Sequence, residues 1–152
     1  MEGTTALEML RMIRGLSVKA MDGLDQRQLT AIPAGFSNNI LWNAGHVLYY
    51  TCAFTYGPAG QPIPLPEGYK DLFKANTSPA DWKEAPDGAT VIRELSTIVD
   101  RIVTDHADGR FNAYKGLALG GRTLGTIPEA LTFHCFHEGV HLGRITSLKK
   151  LI

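Results

Sequence analysis

The stretch TIPEALTFHCFHEGVHLGRITSLKK, residues 126–150, decides how the rest of the chain is read. Thr126 offers a hydroxyl to the free amides of a first helical turn, Pro128 has its φ preset for that turn, and Glu129 stands three residues after Thr126, the spacing of a reciprocal capping box. A helix is therefore expected from there to the carboxyl terminus, with Arg144, Lys149 and Lys150 toward the negative end of its dipole. At about 100° per residue, His134 and His141 fall roughly 60° and 40° from His137, within the arc of Ala130, Ile145 and Leu148. The histidines thus take positions of the core face.

His137 and His141 are one turn apart, about 6 Å of rise, which lets two imidazoles lean toward one ion. The natural third ligand is His46 in NAGHVLYY, the one histidine of a second strongly apolar helix. A lone buried histidine is commonly just hydrogen-bonded. Three imidazoles on core faces cost free energy unless their nitrogens find partners, and a shared divalent metal supplies all of them at once. Three neutral imidazoles also leave coordination positions open, the pattern of a reactive site rather than a closed structural one. His134 lies about 10 Å along the axis from His141, too far to share the ion easily, and is expected behind the ligands or in a cleft.

HEGVH also matches H-E-x-x-H, in which two histidines hold zinc and the glutamate is the general base of a peptidase. Such enzymes need a downstream ligand. Eleven residues follow His141, Ser147 stands where a histidine would recur, and Gly143 falls one residue early, so peptidase is the lesser reading. No edge strand suited to a peptide substrate is evident either. Glu138 still stands as a candidate base near the ion.

Outward from this helix, three more helical patterns appear. Thr5 to Met21 repeats Met9, Met12, Ile13, Leu16 and Ala20 at threes and fours, with Glu8, Arg11, Arg14 and Lys19 on other faces. A second helix is expected from a cap near Ser37 through ILWNAGHVLYYTCAFTY to a Gly57-Pro58 stop, apolar nearly all round as a central helix would be. A third runs from about Ala89 to His106, with Val91, Leu95, Ile98, Ile102 and Val103 opposite Arg93, Glu94, Asp100 and Arg101; His106 would be a solvent-facing cap. Pro58, Pro62, Pro64, Pro66, Pro79 and Pro86 exclude a long regular element from 57–87, which must be a crossover. Five glycines between Asp108 and Gly125 leave a short hairpin or a loop open there. The class is all-α, most simply a four-helix bundle in one domain, 1–152.

Composition narrows the function. Fifteen Lys plus Arg balance fifteen Asp plus Glu, so no broad electrostatic case exists for a nucleic-acid or membrane partner. Cys52 and Cys135 lie in apolar stretches without redox spacing and read as reduced thiols. The amino terminus, with Glu2 and Glu8, lacks a basic region and an unbroken apolar run, so no signal peptide is expected and the cytoplasm is the default compartment. The run Ile40 to Tyr56 is short and too polar for a bilayer span.

FSNNILWNAGHVLYY (36–50) with its histidine, together with HEGVHLGRI (137–145), which fits the pattern H-x-x-x-H-x-G-x-I, resembles the DinB-like (YfiT-like) metalloenzyme family. Chain length and helix order agree, so the likeness covers essentially the whole sequence. It implies a four-helix bundle of unusual topology with long connections, frequent homodimers, and a nickel or zinc ion held by three histidines, here His46, His137 and His141. Some relatives use a low-molecular-weight thiol, mycothiol or bacillithiol, in isomerase or S-transferase reactions. The expectation is thus a metal-dependent transferase or hydrolase acting on a small molecule, with Asn43, Tyr50, His134 and Glu138 as candidates for orientation or proton transfer. The competing expectation is a non-catalytic metal-binding or dimeric interaction protein.

Overall fold

The computed structural model describes residues 4–152; residues 1–3, and with them the reading of Glu2, lie outside the described residues. α1 (Thr5–Met21) starts where the Thr4 side chain accepts the amide of Leu7. Its buried face differs from the expected stripe. Leu7, Leu10, Arg14, Ser17 and Met21 are buried, whereas Met9, Met12 and Leu16 are 42%, 53% and 49% exposed. Both sets repeat at threes and fours. Arg14 decides between them, because a carboxylate on another helix draws it inward, and hydrophobic periodicity cannot register that partner. A short α2 (Gln26–Thr30), not expected, follows from a capping box of Asp25 and Gln28.

α3 (Ile40–Thr55) is the central helix anticipated, with only Tyr50 and Ala53 outside its buried set. Its cap is Asn39 rather than Ser37: the Asn39 side chain accepts the amide of Trp42 at 2.7 Å, and the Ser37 carbonyl accepts from the Ser78 hydroxyl instead. Asn39 is the extended residue directly before the first turn, which is where a side-chain oxygen reaches the free amides. The Pro-rich crossover holds α4 (Tyr69–Phe73) and one 3-10 turn, Pro79–Asp81, and nothing longer. α5 (Gly88–Ala107) begins at Asp87, whose carboxylate accepts from the Thr90 amide. His106 lies within its last turn and is half-buried against Phe111; Asp108 closes the helix, so His106 is not a solvent-facing cap. The glycine-rich segment forms a hairpin, β1 (Leu117–Leu119) antiparallel to β2 (Arg122–Leu124). Gly120 and Gly121, at φ 56° and 79°, supply its two-residue turn, which demands left-handed backbone at both positions. α6 (Ile127–Lys149) opens with the expected box of Thr126 and Glu129.

Four long helices thus make an all-α bundle, packed in the order α1, α6, α3, α5 around its axis. α1 and α6 run in the same direction, as three bonds show: Cys135 Sγ donates to the Ala6 carbonyl, Arg14 meets Glu138, and Lys149 Nζ donates to the Ala20 carbonyl. Tyr56 and Asp105 join the ends of α3 and α5, so the chain must travel back along the bundle between them, and residues 57–87 do so. Cys52 and Cys135 are free thiols, and burial pushes Cys52 up to about 12. No helix among the described residues is long and apolar enough to cross a membrane.

Candidate metal centre

α3 and α6 face each other with opposite direction, so that Asn43 meets His141, His46 meets His137 and Thr51 meets His134. Gly45 sets the first anchor. A Cβ there would fall within the ring of Phe73, and its absence lets α4 sit directly on α3. The Phe73 carbonyl then lies 2.7 Å from His46 Nδ1. A carbonyl can only accept, so Nδ1 carries the proton and Nε2 is bare.

Asn43 orients His141 in the same manner. Its amide nitrogen donates to Asn38 Oδ1 at 3.1 Å and to the Asn39 carbonyl at 2.7 Å, which leaves its Oδ1 to accept from His141 Nδ1 at 2.8 Å. His141 Nε2 is therefore bare as well. His137 Nε2 comes to 3.2 Å from His46 Nε2, while its buried Nδ1 has no partner among the described residues. One nitrogen from each of the three lies within 4.8 Å of the others, the one such group of possible ligands among the described residues.

Burial holds these rings neutral. It lowers His46 despite the opposing bond to Phe73, pushes His137 down to about 4 and His141 to about 3, and the Arg144 charge adds to all three shifts. Neutral imidazoles are the form a metal takes. Two nitrogens at about 2.0–2.1 Å from one tetrahedral ion lie about 3.3–3.4 Å apart, close to the His46–His137 separation. The donor set fits a divalent transition metal. Around it, the Trp42 ring stacks on His46 at 4.6 Å, and Tyr50 packs on His46 at 4.6 Å and on His137 at 5.6 Å. The Tyr50 hydroxyl accepts from the Ala75 amide, tying this wall to the crossover.

Glu138 and His134 are not brought to this group. The Glu138 carboxylate is fully buried and accepts two bonds from Arg14, Nε to Oε1 at 2.8 Å and Nη2 to Oε2 at 3.0 Å. Arg14 also donates to the Leu95 carbonyl and to Thr51 Oγ1. Both oxygens are thus held in a fork by Arg14, and the carboxylate is not among the groups gathered with the three histidines, where the H-E-x-x-H reading would have its base. His134 is fully buried with Nε2 at 2.8 Å from Thr51 Oγ1; burial keeps it neutral, with its pKa well below the ordinary value. It stands behind His137, ring to ring at 5.3 Å.

Sequence reasoning did not find Phe73, Trp42, Arg14 or Thr51. The glycine directly before His46 was a usable sign of close backbone approach. The bond to Phe73 uses a main-chain carbonyl, which any residue type would provide. A cavity of about 970 Å³ opens between α1, α2 and α5, lined by Val18, Met21, Leu29, Ile92 and Val99, and none of the three histidines borders it. The donor atoms, and not cavity size, mark the chemistry here.

No curated protein matches the chain. The sequence profile of the DinB superfamily matches residues 9–145, which take in α3 and α5 whole, most of α1 and α6, and the three clustered histidines. On that match, and with the helical bundle it accompanies, the chain belongs to the DinB superfamily.

Proposed function

We propose that this protein is a metal-dependent enzyme of transferase or hydrolase type in which His46, His137 and His141 hold one nickel or zinc ion. The observation that carries the reading is the 3.2 Å approach of two imidazole nitrogens, with the other nitrogens of His46 and His141 anchored by acceptors. Metal-ligating histidines characteristically donate their second ring nitrogen in this way, which fixes tautomer and ring direction. A divalent ion in such a site supplies Lewis acidity, lowering the pKa of a thiol or water brought to its open side.

The chain's own residues would do the rest. Trp42 and Phe54 exclude water from the histidine rings, and the Tyr50 hydroxyl, accepting from Ala75, keeps its own proton to offer a substrate atom. Glu138 contributes position rather than proton transfer, and His134 supports the ring of His137 from behind. The substrate is a small molecule, with a low-molecular-weight thiol as the favoured co-reactant, and the setting is the cytoplasm, where free thiols such as Cys52 and Cys135 persist.

A second reading, a non-catalytic metal-binding or interaction protein, is favoured by the apolar side chains left exposed on the neighbouring helices α1 and α6: Met9, Met12, Leu16, Phe136 and Val140. A homodimer closing on that surface is compatible with either reading. Elemental analysis of untagged wild type and of His141→Ala tests the site. One metal per chain is expected in the wild type and none in the variant. Conjugation of a small thiol to an electrophile, lost on chelation and regained on metal return, separates catalysis from structural metal.

A further inference from the structure

Three neutral imidazoles bring no negative charge, so a divalent ion among them keeps two positive charges uncompensated. Glu138, the carboxylate nearest in sequence, is already neutralised by Arg14. The gathered group contains no carboxylate, and the formal charge beside all three imidazoles is that of Arg144, another cation. The open side of the cluster is therefore a place for an anion.

Arg144 is placed to receive one. It follows His137 by seven residues, which sets it roughly 20° round α6 and about 10 Å along it, and it follows His141 by three, about 4.5 Å of rise. Helical side chains lean toward the amino-terminal end, which directs that of Arg144 back toward the turn carrying His141 and the partly exposed His137. It is exposed and has no hydrogen bond or ion pair among the described residues. The chain's other cations beside buried groups are engaged: Arg14 with Glu138, Arg110 and Arg101 with Asp105.

We propose that Arg144 is a specificity-determining residue that pairs with a carboxylate of the substrate, joined by a short linker to the group reacting at the three histidines. This rests on the three-histidine reading and adds to it a substrate class, small anionic molecules. Arginine suits the task because its planar fork takes both carboxylate oxygens at once.

The test uses the full chain loaded with cobalt(II), whose visible spectrum reports the site, and two probe thiols, mercaptoacetate and 2-mercaptoethanol, titrated by their sulfur-to-cobalt absorption. In the wild type, mercaptoacetate is expected to bind at least about tenfold more tightly. In Arg144→Ala and Arg144→Gln, both at an exposed position, that preference should fall to within about twofold while cobalt still binds. Chelation of cobalt by the probe's own carboxylate would survive the substitutions, so an unchanged preference in both variants overturns the proposal. Failure of the wild type to bind cobalt stoichiometrically overturns the three-histidine reading itself, a result visible before either thiol is added.

Discussion

α6 divides two polar regions of opposite character. Toward α1 and α5 lies the Arg14–Glu138 pair, with side chains 4% and 0% exposed and bonds that also reach Thr51 and the Leu95 carbonyl. Toward α4 lie His46, His137 and His141, with one nitrogen of His46 and one of His141 anchored and one nitrogen from each of the three within 4.8 Å of the others. The first region spends its hydrogen-bonding capacity on itself, which fixes how α6 is rotated. The second holds capacity in reserve. Neighbouring residues on one helix, His137 and Glu138, thus belong to different tasks, and the closed side gives the open side its aim.

Glu138→Ala should cut deepest into this contrast. It strands a guanidinium in the core, so urea unfolding should show a loss of about 3–5 kcal/mol, whereas Arg14→Met combined with Glu138→Met should recover most of it. A double variant no more stable than the single one would mean that the two charges are not acting as a pair. Gly45→Ala drives a methyl into the buried Phe73 ring and should cost about 1–3 kcal/mol in the same measurement, with weaker metal binding as His46 loses its carbonyl. Asn43→Leu removes the acceptor from His141, and competition with a chelator should show metal affinity reduced by about 10–100-fold, equivalent to about 1.4–2.7 kcal/mol. Met12→Glu lies outside both regions and should change stability by no more than about 0.5 kcal/mol; a larger loss would show that this exposed face is covered by another chain.

What could be read beforehand followed from local signals. The Thr126–Glu129 box, the all-round apolarity of α3 and the proline density of 57–87 are properties of short stretches, and each is present in the structure. The grouping of His46 with His137 and His141 was legible because the two latter share a helical face and the first is the single histidine in the partner helix. α1 was misphased because two apolar stripes compete along it, and the choice depends on a cation's partner 124 residues away. The bonding of Glu138 to Arg14 is hidden for the same reason: adjacency along a helix turns a side chain by about 100°, enough to give it another neighbour than His137 has. The acceptor behind His46 is main chain, and no residue type announces it.

The bond from His46 Nδ1 to the Phe73 carbonyl has one more implication. With Tyr50 receiving the Ala75 amide, the middle of the crossover is stitched to the ring that would grip the ion. By reciprocity of linked equilibria, capture of a cation should stiffen residues 57–87, and stiffening them should slow its escape. Protease nicking in this segment would then serve as a clock for metal residence.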